Sequence, residues 1–393
     1  MTKLLADMAE IAARDAHEQT TAFEAEQWAS SVVGTFRVPA MPGEDAEAIV
    51  VPGFADALEA LGTPAALATL RALAAVAAPD QARLARAAGE RLAASGVADP
   101  PWAQDLGRDR PTAAALVSEE AFDDGVSVMV EYGAPGAESH TVGVYVDHNL
   151  GGLIKDVFLV GPLSEVSAQF DRAGLSIREL DLAEARARVE AALYVLDHTL
   201  DPPVSEDVRP LRALIAARMR LLPDGFELPD DQDELTVDER DALLADFLDS
   251  PEGRRWRGDE DAEDVAHLAI EFGTGYNHGG PLRWSPVVVE IFMIDWLPRT
   301  ITGERDFFAR IPDVLRDWVS YAGRRRSVPA GRLREAVAAI EDCRNEMLDA
   351  VDDPMSWGPA KSFAAAALDA GVDLTDPADV ERFIHRYNGG LAA

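Results

Sequence analysis

The sequence predicts a helix-dominated α+β protein: a central antiparallel β-meander with packed helices, flanked by an N-terminal helical region and a C-terminal all-helical bundle. Three observations carry that reading. Runs 126–132, 141–147 and 153–160 are rich in β-branched and aromatic residues, and their breaks, GAPGAES and HNLGG, are glycine-containing and of hairpin length. Helical periodicity fills most of the remaining chain. After residue 262, prolines recur at the head of apolar stretches, where helices accept them.

Taken in order, residues 3–33 carry one helical stripe through Leu4, Leu5, Met8, Ile11 and Ala12. A passage marked by Pro39, Pro42, Gly43 and Pro52 follows, then three alanine-rich helices at 54–61, 64–77 and 80–94. Their short spacing fits a small helical bundle or a repeat fragment, although no self-similar period is present. Turn-rich residues 100–111 mark the boundary before the sheet.

Pairing the strands across the middle of each break sets Val130 opposite Val142, Val128 opposite Val144 and Val126 opposite Val146, with Ile154 and Phe158 on that face. The other face then carries Met129, Glu131, Thr141, Tyr145, Asp147, Lys155 and Val157, mixed enough that helices are expected on both sides. Asp156 falls among the valines unless a bulge or register shift moves it. A helix at 163–173, a short strand at 175–180 and an amphipathic helix at 181–200 complete a βββαβα unit.

Residues 227–264 hold sixteen Asp and Glu against four Arg and include a helix at 237–248. Beyond them, Ser285-Pro286 opens a buried helix at 287–297 that Pro298 ends. Pro312, Pro329, Pro359 and Asp376-Pro377 open further helices to residues 322, 350, 370 and 387. Trp284, Trp296, Trp318 and Trp357 are the natural packing anchors. The expected domains are a helical region 1–110, an α+β domain 111–223, an acidic connector 224–261 and a helical bundle 262–393.

The chain has 393 residues, 70 Asp and Glu against 36 Lys and Arg, and a formal charge of −34. That charge opposes general nucleic-acid binding, since a phosphate backbone is repelled. Its single cysteine, Cys343, excludes an internal disulfide and fits a reducing cytoplasm. No run reaches the ~20 apolar residues of a membrane span, and the first residues lack the apolar core of a signal peptide. Abundant alanine, aspartate and arginine match a high-GC bacterial genome.

Candidate chemistry concentrates in the meander. Asp147, His148 and Asp156 are candidate ligands for a divalent metal, with Glu131 and Lys155 as catalytic partners. His140 lies ~26 Å along the strand from His148, too far to share an ion. The competing reading is that Asp147, His148 and Asn149 cap a hairpin, and that Lys155 makes a cross-strand contact with Glu131 or Tyr145. The loop with Tyr276, Asn277, His278 and Trp284 is a candidate ligand-binding turn, or an ordinary helix connection. Arg324, Arg325 and Arg326 complement a helix end, contact an anion, or pair with the acidic zone. Signatures for phosphate loops, dinucleotide folds, zincins and nucleophile elbows are missing from the sequence.

The sequence therefore leads to a cytoplasmic interaction or regulatory protein that presents an acidic surface to a basic protein partner, without a membrane segment or required cofactor. The alternative is a divalent-metal-dependent hydrolase acting on a phosphoester or similar substrate.

Overall fold

The computed structural model describes all residues except 1, 17, 37–45, 120, 135, 137, 173, 229–234, 278, 373–375, 377–378, 385 and 387–393. It has the helix-dominated α+β architecture that the sequence predicts, with a five-stranded antiparallel sheet. Two compact units divide the chain: residues 1–120 with 125–229, and residues 121–124 with 230–393.

The first unit begins with α1 (Thr2–Ala16) and α2 (Ala22–Phe36), two helices where one was expected. The reason is a reciprocal cap: Thr21 Oγ1 accepts from the Glu24 N–H at 3.1 Å, and Glu24 Oε2 accepts from the Thr21 N–H at 3.1 Å. Such a pair satisfies donors that a new helix start leaves open. α3 (Ala46–Leu61) starts well before residue 54 and keeps Pro52 inside it; α4 (Pro64–Val76) and α5 (Pro79–Ala94) match expectation closely.

Alanines let these helices approach closely, and one polar knot fixes α2 against α8 (Val208–Met219). Ser30 Oγ donates to Pro210 O at 2.6 Å and accepts from Leu214 N at 2.9 Å. One turn on, a side chain on Gly34 would collide with Arg209 O, 2.6 Å from its Cβ position.

The sheet runs β4-β3-β2-β1-β5, with every neighbouring pair antiparallel. β2 (Gly125–Gly133), β3 (His140–Asp147) and β4 (Leu153–Val160) form the expected meander. β1 (Arg110–Ser118) was not anticipated, because its Ala113–Ala115 run lacks the β-branched residues that mark strands. It pairs with β2 on one side and with β5 (Ser176–Glu179) on the other.

The valine pairs occur in the expected register. That face is buried against α7 (Leu182–His198) and α8 through Val189, Leu193, Ile215 and Met219. Asp181 starts α7 by accepting from the Ala183 N–H at 2.8 Å. The opposite face packs Met129 and Phe158 against α6 (Leu163–Arg172), so helices cover both sides.

β4 departs from the expected alternation at Lys155. Tyr145 pairs with Asp156 while Val146 pairs with Ile154, so Lys155 is an extra, bulged residue. Asp156 is thereby removed from the valine face. Val157 joins that face, and Phe158, expected there, moves to the other. Gly143 makes room for it: a Cβ at this position would lie 2.2 Å from the Phe158 ring.

The second unit contains α9 (Val237–Asp249), α10 (Glu260–Gly275), α11 (Pro286–Glu290), α12 (Leu297–Thr300), α13 (Arg305–Arg325), α14 (Ala330–Asp352) and α15 (Pro359–Asp369). Trp284, Trp296 and Trp318 are buried in its core; Trp357 is half-buried and donates to Val351 O at 2.9 Å. Two proline expectations require correction. Pro298 does not end its helix, because residues 291–296 form a π-helical turn in which the Leu297 N–H reaches Phe292 O, and α12 continues past the proline. Pro312 lies inside α13, which starts seven residues earlier. The final predicted helix is seen at residues 379–384 and 386, while residues 377, 378, 385 and 387 lie outside the described residues. Among the described residues, no helix is long and apolar enough to cross a membrane.

Candidate functional site

The bulge determines what the meander's acidic residues can do. Asp147 is buried at the end of β3, where its Oδ1 accepts from the Asn149 N–H at 2.9 Å and its Oδ2 from Lys155 Nζ at 3.0 Å. His148 lies half-buried in the 3₁₀ turn that follows, which Gly151 closes at φ 70°. Asp156 is engaged elsewhere: its Oδ1 accepts from Ser205 Oγ at 2.6 Å and from the Val157 N–H at 2.9 Å. The Ser205 N–H also donates to Lys155 O at 2.8 Å, so residue 205 straps the bulge from outside the sheet.

Glu131 is placed at the other end of the meander. Its cross-strand neighbours are Thr141 on β3 and Ala113 on β1, and Thr141 in turn faces Val160. Glu131 Oε2 accepts from the Leu163 N–H at 2.9 Å, capping the start of α6. Five residues of strand separate Val160 from Lys155, ~16 Å. The structure therefore unites Lys155 with Asp147, and it unites neither with Glu131. Among the described residues, no three His, Cys, Asp or Glu side chains converge in a metal-ligating group.

A buried charged centre beside the sheet was not found from the sequence. The Arg218 side chain on α8 is 4% exposed, and its Nη2 donates to Glu26 Oε2 at 2.6 Å and Asp109 Oδ2 at 2.8 Å. The guanidinium lies over the rings of Phe23 and Tyr132, and Tyr132 Oη donates to Arg218 O at 3.0 Å. Burial raises the Glu26 carboxyl above its ordinary range against the opposing pull of Arg218. His140 packs on Phe23 with ring centroids 4.0 Å apart. Burial, then the Arg218 charge, holds its imidazole down at about 4. His140 Nε2, Thr141 Oγ1 and Arg218 Nε are buried with no hydrogen-bond partner among the described residues. The available signal was Arg218 itself, which occupies a buried helix position four residues after Leu214.

In the second unit, the Tyr276–Trp284 loop is organised around Arg283, whose side chain is fully buried. Arg283 Nη1 donates to Asp124 Oδ1 at 3.0 Å and Asp123 O at 3.3 Å, while Nη2 donates to Asn277 Oδ1. Asn277 Nδ2 returns to Arg283 O at 2.7 Å and Gly280 O at 3.2 Å. Gly279 adopts φ 94° against the Arg283 side chain, which a Cβ would meet at 2.8 Å. Trp284 is buried and donates to Pro281 O; Tyr276 is exposed and stacks on Phe272. His278 lies outside the described residues. Asn277 and Trp284 thus hold the connection together, and Tyr276 alone of the three described candidates presents its ring outward.

The acidic zone is partly neutralised within its own unit. Arg324 pairs with Glu252, Arg325 with Asp246, and Arg310 with Asp259 and Asp261, all from α13. Asp238, Asp241, Glu260 and Asp264 are exposed and have no ion-pair partner among the described residues. Asp238 and Glu260 lie in the first turns of α9 and α10, where negative charge complements the helix dipole. No protein-family model matches this chain, and no curated protein or solved structure shows significant similarity to it.

Proposed function

We propose that this protein is a binding protein that engages a basic protein partner through the acidic surface of α9 and the start of α10. The observation carrying the reading is the exposed quartet Asp238, Asp241, Glu260 and Asp264, which has no ion-pair partner among the described residues although α13 supplies three arginines to the same segment. An uncompensated acidic face steers and selects basic partners more than it adds raw affinity. Phe247 and the helix caps hold the face in place, so binding does not require the segment to fold first.

The metal-hydrolase alternative is less favoured, because Asp147 is already tied to Lys155 and Asn149, and Asp156 to Ser205. The test is capture from a soluble extract on immobilised full-length protein, beside a variant carrying D238N, D241N, E260Q and D264N. Wild type retains basic proteins at low ionic strength and releases them as salt shortens the Debye length towards about 8 Å; the variant loses them. Equal retention by both proteins, or retention that ignores salt, refutes the proposal.

A further inference from the structure

We infer that the cleft bordered by α4, α5 and α8 in the first unit binds a small organic anion, with its charged head on Arg86 and Arg220 and its apolar body on Ala75, Ala217 and Leu221. Two adjoining cavities of about 350 and 410 Å³ share Arg86 and these three apolar residues, so they form one continuous depression. Each has the size of a small-ligand site, which typically combines apolar walls with a few placed polar groups.

The charges lining it are unequal in status, and the exposed carboxylate of Glu90 stands among the arginines. Arg71 is held by Asp99, Arg83 by Asp80, and Arg218 by Glu26 and Asp109. Arg86, on α5, is exposed and has no carboxylate or other hydrogen-bond partner among the described residues. Arg220, just after α8, is half-buried, and among the described residues its guanidinium donates to the backbone oxygens of Val76 and Ala77, at 3.3 and 2.9 Å. Its burial disfavours the cation, the Glu47 and Glu190 charges oppose that in part, and no carboxylate forms a hydrogen bond to it among the described residues. A guanidinium in that position gains from a carboxylate or phosphate, which it can bind through two parallel hydrogen bonds. The long-range field of a chain with charge −34 repels anions, so occupancy must come from these local contacts.

The experiment is calorimetric titration of the full-length protein with phenyl phosphate, benzoate and inorganic phosphate. The comparison proteins are R86Q and R14Q, the latter changing an exposed arginine on α1. At least one aromatic anion should bind with Kd below about 10 mM, and R86Q should weaken it about tenfold or more, the loss expected for one charge-assisted contact. R14Q should bind as wild type does. Preference for phenyl phosphate assigns a phosphate head, and preference for benzoate a carboxylate. No heat from either aromatic anion, equal binding by R86Q, or inorganic phosphate binding as tightly as phenyl phosphate overturns the inference. R86Q alters an exposed side chain, and a thermal melt matching wild type confirms that any loss reflects the site.

Discussion

Replacing Asp124 by alanine tests the organisation of the second unit most sharply. Arg283 has a fully buried side chain that forms an ion pair with Asp124, whose side chain is 23% exposed. Removing that carboxylate takes away the ion pair, while Asp123 O and Asn277 Oδ1 remain as acceptors and the Asp123 charge remains nearby. Breaking a buried pair in this way typically costs 3–5 kcal/mol; partial exposure of Asp124 lowers the expectation to about 2–4 kcal/mol. Loss of the Ser285 Oγ donation to Asp124, 2.7 Å long, adds about 1 kcal/mol. Five of the seven tryptophans belong to the second unit, so urea unfolding followed by tryptophan fluorescence chiefly reports this effect. A cycle with R283M and the double variant isolates the pair: the double variant should be more stable than the sum of the single losses implies, by about 2 kcal/mol. Additive losses, or an Asp124→Ala cost below about 0.5 kcal/mol, would mean that Asp124 and Arg283 are not energetically coupled.

Other predictions address the first unit. With its folded pKa lowered to about 4 from 6.5, His140 contributes stability fully present above pH 6.5 and lost as pH falls towards 4, because only the unfolded chain takes up the proton in that window. Allowing for its partial exposure, the loss is about 1–2 kcal/mol; H140F should flatten stability between pH 6.5 and 5, as measured by urea unfolding at each pH. G143A should cost about 1–3 kcal/mol by driving a methyl into the Phe158 ring, and G143A/F158A should recover part of it in thermal melts. S205A should cost about 1 kcal/mol and speed amide exchange in β4 beside the bulge, because Asp156 loses a 2.6 Å hydrogen bond. T21A should cost about 1 kcal/mol through the lost cap of α2, visible as reduced helicity before the main melt.

The alternation of valines revealed three strands and their mutual register because each side of an antiparallel sheet repeats every second residue. β1 escaped notice since alanine has no strand preference, and its place was decided by the two strands it joins. Phe158 was assigned to the wrong face because the bulge depends on Ser205, fifty residues from Lys155. Prolines misled in a consistent way. Each disrupts local helical hydrogen bonding without having to begin or end an element, so Pro52, Pro298 and Pro312 all sit within helical stretches.

Candidate chemistry was legible only where it was local. Asp147 and Lys155 both stand out in the meander, yet the cross-strand partners expected for Lys155 are Glu131 or Tyr145, and the bulged residue pairs with Asp147 instead. Arg218 finds Glu26 and Asp109, which lie 192 and 109 residues away, and no spacing rule reaches that far. The intramolecular use of Arg324 was one of the readings the sequence left open, and its pairing with Glu252 now limits how much acidic surface is free to act.

Mapping the contact residue by residue separates the acidic face of α9 and α10 from every other surface of the protein. A zero-length carbodiimide reagent joins carboxylates to lysine amines in van der Waals reach, so treatment of the protein with its captured partner, followed by peptide mass spectrometry, identifies the carboxylates used. Cross-links from Asp238, Asp241, Glu260 or Asp264 to partner lysines are predicted, disappearing when salt is raised. Cross-links confined to carboxylates elsewhere in the chain, with those four unmodified by the partner, would put the binding surface somewhere other than α9 and α10.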